Sequence, residues 1–419
     1  MKYFVIVTAL LLCSLSSAYV TADTNVFIHP NGNDSSARPT SASRAMRSLS
    51  VAHDYLKNQN ISGDVSVCIA PGFYQDQQVR WTYYPANGTV TFKPSYLCGP
   101  VVVPSGSGYA LVSKELRAEA ITDRPVFDGS GTQPTGDCWA GGAWFYAVNP
   151  RKLHFFGLRI QNYQMAIYLR GDSGQPPVYG ENVIEQMLFE RIGTLWVPQF
   201  GTSAAAVDIV HSSGNVIRSN EFVRIENLSE PNDCGSQGNV QQDVLIHALY
   251  IAHESTDNHV IDNKVAKVSG APIKFRDVAD RGIIRGNAIA WSGPYRDNSG
   301  GPYAAILDRP ESDEGVSCDL LIEENSIGPG YYETASSPPV STFVGDDGHA
   351  ILDHGDFCGL RGTDGAQVSG NTALTGDDLR FWYESLETVD CADSTYQCPP
   401  PPVEPDPEPC GGNTGTICP

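Results

Sequence analysis

Two short segments place unlike reactive side chains at matching positions. Leu249-Tyr250-Ile251-Ala252-His253 and Ile273-Lys274-Phe275-Arg276 are 24 residues apart and share one alternating pattern. In an extended strand successive side chains point to opposite faces, and paired strands lie ~4.8 Å apart. Aligned by the 24-residue step, Leu249 and Ile251 stack on Ile273 and Phe275 on an inner face. Tyr250 and Ala252 then lie beside Lys274 and Arg276 on the outer one. The same register sets Asp208 beside Tyr250 and His211 beside His253, through Val207-Asp208-Ile-Val-His211. Ile167-Tyr168-Leu-Arg170 adds Tyr168 and Arg170, and Leu307-Asp308 sets Asp308 beside Arg276. The expected result is one outward strip mixing aromatic, cationic and acidic groups.

Such a strip suits either of two reactions on a sugar chain. β-Elimination at a uronic acid needs a cation on the carboxylate, a base for the neighbouring carbon-bound proton and an acid for the leaving oxygen. Lys274 or His247 is the expected base, Arg276 the bidentate carboxylate clamp and Tyr250 the proton donor. Tyr168, Arg170, Asp208, His253 and Asp308 are the expected substrate-binding surroundings. Hydrolysis instead needs two carboxylates at a set separation, which Asp208, Glu254, Asp277 and Asp308 could supply. Gly345-Asp-Asp-Gly-His349-Ala, with Asp353, His354 and Asp356, is a separate acidic cluster. Plainer roles compete: Lys274 and Arg276 as solvated residues of an outer face, His247 and His253 as strand or turn caps. Tyr74, Phe155, Phe156 and Phe189 read as packing residues rather than sugar platforms.

The elements that would hold this strip are announced by a repeated phrase: an apolar residue, two others, Asn, one other, and an apolar residue again. It occurs as Ile217-Arg-Ser-Asn220-Glu-Phe222, Val260-Ile-Asp-Asn263-Lys-Val265, Ile284-Arg-Gly-Asn287-Ala-Ile289 and Ile322-Glu-Glu-Asn325-Ser-Ile327, with a weaker copy at Val368-Ser-Gly-Asn371. A period in the twenties built from strand-like segments means a solenoid, because one coil cannot bury its own inward residues. The 43-residue step from Asn220 to Asn263 holds one rung plus an insertion. Asn at a fixed turn can bond the equivalent turns above and below and tolerates left-handed backbone angles. The phrase lacks the Leu spacing of leucine-rich repeats, and the frequent hairpin turns of a β-sandwich are missing. Helical periodicity is nearly absent, its clearest trace being Ala42 to Leu56, where Ala45, Leu49, Ala52 and Leu56 recur at helical spacing. The fold class is therefore all-β, a right-handed parallel β-helix with a short N-terminal capping helix.

The opening of the chain carries a resemblance. Val26-Phe-Ile-His-Pro-Asn-Gly-Asn-Asp, the helix, Gly63-Asp-Val-Ser-Val-Cys-Ile-Ala-Pro-Gly72-Phe-Tyr74 and Pro125-Val-Phe-Asp-Gly129 resemble the start of pectate-lyase-like β-helix proteins. The resemblance covers about Val26 to Leu374 and implies a β-helix acting on a polysaccharide. That superfamily includes pectate, chondroitinase-B-like and alginate lyases as well as glycosidases and epimerases. In the chondroitinase-B-like and alginate lyases a Lys and an Arg on neighbouring coils act as base and clamp, whereas Lys274 and Arg276 share one strand here. The paired Asp and Gly-His-Gly of polygalacturonases are missing. The resemblance implies a polysaccharide lyase first, a glycoside hydrolase on the same scaffold second; a non-catalytic adhesin or polymer-binding β-helix is the third class.

Residues 1–22, with Lys2 and the apolar run Phe4 to Leu12, have the layout of a secretory signal peptide. Residues 23–390 form the β-helix domain, and 391–419 a Pro-rich tail holding cysteines. No later stretch approaches the ~20 apolar residues of a membrane span. Beyond Cys13 ten cysteines remain, an even set that reads as disulfides in an exported chain; Cys391 with Cys398 and Cys410 with Cys418 would close short loops. The formal net charge of −21 argues against nucleic acid and requires a local cluster of Lys and Arg if the polymer is anionic. A monomer without a cofactor is expected, Ca2+ being the one ion left open, since no cluster of Asn and Glu ligands stands beside Lys274 and Arg276. Thiol titration of the denatured, unreduced mature protein should find almost no free cysteine; several reactive thiols would refute the disulfide reading.

Overall fold

The computed structural model describes residues 24–37, 39–99, 101–105, 108–112, 121–129, 140–173, 179–193, 204–226, 246–293, 305–308, 314–331, 344–345, 351–353, 358 and 365–387. Within them the chain winds through three sheets of ten, nine and nine strands, each built wholly of parallel pairs, plus one antiparallel hairpin of Val101–Ser105 with Gly108–Val112. This is the expected parallel β-helix, in which successive visits to one sheet come from successive coils.

The repeated phrase maps onto one corner of the coils, and the apolar rows it defines run on through earlier coils that have Leu158 and Met187 in place of its Asn. Its first apolar residue is an inward position of the first sheet: Phe155, Ile184, Ile217, Val260, Ile284, Ile322 and Val368 form one continuous row. Its last apolar residue does the same in the second sheet, where Phe127, Ile160, Phe189, Phe222, Val265, Ile289 and Ile327 align. Val207, Leu249, Ile273, Ile306 and Ile351 line the third sheet's inner side. Tyr74, Phe155, Phe156 and Phe189 are buried, as their packing role requires.

Between the first and second sheets stands a ladder of buried asparagines. The Nδ2 of Asn220, Asn263, Asn287 and Asn325 donates to the Oδ1 of the next Asn up, ending on Asn371, each at 2.9 Å. That oxygen also accepts the backbone N–H of the Asn below, at 2.9 to 3.0 Å. Asn220 and Asn263 are thus adjacent rungs, and their 43-residue separation is one coil plus an insertion. A second ladder, Asn182 to Asn215 to Asn258 at 2.7 Å per step, holds the corner before the first sheet. Each of its residues stands two places before an inward apolar residue, Ile184, Ile217 or Val260, and the series stops at the next coil, where Gly282 holds that place before Ile284.

The expected helix is shorter than its pattern. It spans Leu49–Gln59 and buries Leu49, Ala52, His53 and Leu56, while Ala42–Arg44 forms a separate 3-10 turn. Ser48 is extended and accepts the N–H of Val51, and this N-cap ends the upstream run. A second helix, Gly376–Glu384, was not anticipated. It covers an outer patch of the second sheet, where Leu379, Tyr383 and Leu386 meet Val223, Ala266, Ala290 and Trp291. Arg124 with Glu387, and Lys264 with the Ser385 carbonyl, fasten its far end. Disulfides join Cys68 to Cys98 and Cys318 to Cys358. The N-terminal signal-like segment and the tail cysteines lie outside the described residues.

Removing one rung tests the ladder. Asn287→Ala strands the buried backbone N–H of Asn263 and one of its two side-chain N–H groups, the other staying on the Ile217 carbonyl, each loss costing ~1–3 kcal/mol. Urea unfolding should show a loss of about 3 kcal/mol, against a few tenths for a solvent-facing substitution such as Arg281→Ala.

Candidate active site

The outer face of the third sheet carries the strip. Backbone pairing runs Arg80 to Tyr146 to Tyr168 to Asp208 to Tyr250 to Lys274, one residue per strand, and continues through Leu307 to Leu352. At ~4.8 Å per strand the six polar and aromatic positions span about 24 Å along the solenoid axis. A groove of about 820 Å³ lies over the first part of this row, lined by Gln78, Arg80, Tyr146, Gln164, Tyr168, Asp208, Tyr250 and His253 among others.

The pairing of Tyr250 with Lys274 is as the 24-residue step requires, and Asp208 pairs with Tyr250 as the extended register expects, across a longer step of one coil plus an insertion. Tyr146 and Tyr168 stack with ring centroids 5.0 Å apart, and Arg80 sits over Tyr146 at 5.2 Å. Exposed Arg170 reaches toward the hydroxyls of both tyrosines. Burial, followed by the Asp208 charge, pushes the Tyr168 phenol up to about 12. Asp208 keeps Oδ1 enclosed without a hydrogen-bond partner. Burial drives its carboxyl up to about 7, with Arg170 pulling the other way.

The cations beyond Tyr250 are less open than an outward position suggests. Lys274 is 6% exposed and Tyr250 8%. The Lys274 ammonium and the Arg276 guanidinium stand 5.8 and 5.9 Å from the centroid of the Tyr250 ring, packing that a two-residue alternation does not report. Arg276 is also forked onto Glu314, its Nε donating to Oε2 at 2.7 Å. Glu314 comes from the connection to the next coil, where no periodicity could reveal it. His247 is 1% exposed and stacks behind Tyr250 at 5.6 Å. Its Nδ1 donates to the Ala271 carbonyl at 2.6 Å. Burial, then the Lys274 charge, lowers His247 to about 3, so the ring is neutral.

At the rim of the sheet His211 and His253 are neighbours, with ring centroids 5.6 Å apart, as the register implies. His253 Nδ1 lies 2.6 Å from Asp277 Oδ2. Asp308 departs from expectation. Its strand pairs Ile306 with Ile273, so Leu307 takes the Lys274 position and Asp308 falls in the row of Phe275, 2% exposed. The long insertion before this strand hides which apolar residue faces inward, and the reading was one residue out. Asp353 follows Asp308 in that same row, while Asp346, Asp347, His349, His354 and Asp356 lie outside the described residues. Among the described residues no cluster of three or more His, Cys, Asp or Glu could hold a metal ion, and no helix is long and apolar enough to cross a membrane.

Arg80, Tyr146, Gln78 and Gln164 escaped the sequence reading. The alternating segment Trp144-Phe145-Tyr146-Ala147 was the available signal, since Tyr146 precedes Tyr168 by about one coil.

No family model matches the sequence, and no curated protein does. Among solved structures the chain is similar to a rhamnogalacturonan lyase, at 14% identity over 73% of this chain and 69% of that one, TM-score 0.45. An alginate lyase from Paenibacillus sp. str. FPU-7 matches at 10% identity over 73% and 76%, TM-score 0.41. Pectate lyase Pel9A matches at 14% over 84% and 70%, TM-score 0.38.

Asp208 makes a pH test possible. A carboxyl raised from ~3.9 when unfolded to about 7 when folded gives the native state the extra proton between those values, so its contribution to stability falls as pH rises from ~4 to 7. Asp208→Asn removes that loss. The melting temperature of the variant minus that of the wild type should climb across pH 4 to 7 and level off above; a flat difference would show that Asp208 titrates normally.

Proposed function

We propose that this chain cleaves an anionic polysaccharide by β-elimination at uronic acid residues, in the groove over the third sheet. The observation that carries the reading is the row of stacked tyrosines with cations at both ends in an otherwise acidic chain. Tyr146 and Tyr168, stacked on each other, line the groove with aromatic edges and hydroxyls for a sugar chain, and Arg170, beside them, is the cation that would neutralise a uronate. Neutralisation lets the proton on the adjacent carbon leave as charge moves onto the carboxyl group. Tyr250 is the proton donor for the departing oxygen. Lys274 and Arg276, set against its ring, stabilise the negative charge the phenol acquires. Asp208 can hold a proton near neutrality and so share one with the substrate carboxylate instead of repelling it. The two disulfides suit an oxidising compartment outside the cell.

That same raised carboxyl favours the second reading, glycoside hydrolysis with Asp208 as general acid. Elimination leaves a conjugated double bond and hydrolysis does not. Alginate, pectate and glycosaminoglycans incubated with the protein should yield ultraviolet absorbance in step with new reducing ends. Reducing ends without absorbance would establish hydrolysis, and polymer retention without either would mark a binding protein. On the substrate that is cleaved, Tyr250→Phe and Arg170→Ala should each lower turnover about a hundredfold. Their unfolding midpoints should stay near wild type, and a collapse in stability would undo the assignment.

A further inference from the structure

We infer that His253, oriented by Asp277, is the base that takes the carbon-bound proton, an assignment that rests on β-elimination as the reaction. Lys274 and His247 are enclosed beneath and behind Tyr250, and His247 Nδ1 is spent on a carbonyl. His253, by contrast, lines the groove with Asp208 and Tyr250, and its side chain is 38% exposed. Its Nδ1 donates to Asp277 Oδ2 at 2.6 Å, which fixes the tautomer and leaves the lone pair on Nε2.

The backbone supports a built arrangement. His253 and Glu254 have φ of 55° and 58°, and Asp277 and Val278 follow on the next coil at 50° and 63°. Left-handed residues recur at the corners of the coils, as at His211 on the coil below, so these four mark the turns that carry the two side chains out of the sheet. The Glu254 N–H donates to the Asp277 carbonyl at 2.8 Å, so the two turns are tied together and the dyad is held by main chain as well as side chain. The groups facing His253 are His211 on the coil below, Glu254 beside it, Asp277 above, and Asp208 and Tyr250 along the groove.

The step balances without any further reactant. Nε2 accepts the proton from the carbon next to the uronate, the C–H electron pair becomes the ring double bond, and the bond to the glycosidic oxygen breaks with its own pair. Tyr250 supplies the proton that oxygen needs. Proton exchange through water from imidazolium to phenolate restores both groups.

The test uses His253→Gly, because glycine tolerates the positive φ and leaves room for free imidazole. On pectate or alginate, whichever the wild type converts to absorbing products, the variant should turn over at least a hundredfold more slowly, and added imidazole should restore much of the rate. Asp277→Asn should lower kcat with KM held and should gain nothing from imidazole. Nitrogen NMR of the wild type should show His253 protonated on Nδ1, and this should be lost in Asp277→Asn. Near-normal turnover in His253→Gly with absorbing products, a rate loss that imidazole leaves untouched, or a proton found on Nε2, overturns the assignment and leaves the elimination reading standing. Reducing ends without absorbance, or no cleavage of any polymer, overturns the elimination reading and the carbon-proton step with it.

Discussion

Everything in this molecule depends on coils burying one another. A strand of two to nine residues cannot cover its own inward side chains, so Ile217 and Val260 leave water only because Ile184 and Ile284 lie on either side of the pair. Stacking brings the corner asparagines into line, and each then bonds the backbone and the side-chain amide of its neighbour. The ladder in turn fixes the vertical register, since a shift of one residue would withdraw the Oδ1 from a buried N–H. Apolar rows supply most of the favourable free energy, and the asparagines specify which residue meets which.

Fixed register converts a one-dimensional repeat into a surface lattice. Because each sheet repeats at the strand spacing, any outward position becomes a straight row along the axis, and one such row of the third sheet carries Arg80, Tyr146, Tyr168, Asp208, Tyr250 and Lys274. Their backbone sites are set by the solenoid and cost no extra ordering, so reactive groups can stand next to one another without a dedicated loop to hold them. Insertions occur at the corners, where they leave the lattice intact, and the ion pair of Arg276 with Glu314 shows how one returns to touch the row.

Neighbours in the row alter one another's chemistry. The burial that packs Lys274 and His247 around Tyr250 makes His247 a neutral donor to a carbonyl, and the burial of Asp208 keeps a proton on a carboxyl near neutral pH. An acidic chain thereby presents a groove whose acid can be uncharged and whose cations, Arg80 and Arg170, stand beside aromatic faces. The local field, and not the net charge of −21, then decides what binds.

The sequence by itself determined the β-helix through its apolar phrase, the pairing of Tyr250 with Lys274 through the 24-residue step, where no insertion intervenes, and that of Asp208 with Tyr250 through the matching alternation of Val207-Asp208-Ile209 and Leu249-Tyr250-Ile251 across an insertion. It placed Asp308 one residue out and left Tyr146, Arg80 and Glu314 unseen, because unequal insertions break the count between coils. The helix at Gly376–Glu384 went unread, because the surface that buries its Leu379 and Tyr383 belongs to coils far back in the chain. Tertiary structure alone decided how deep each outward residue sits. Alternation reports the face of a sheet and says nothing of what lies over it, so the enclosure of Lys274 and His247, the proton on Asp208 and the bond from His253 to Asp277 emerge only when the coils are stacked.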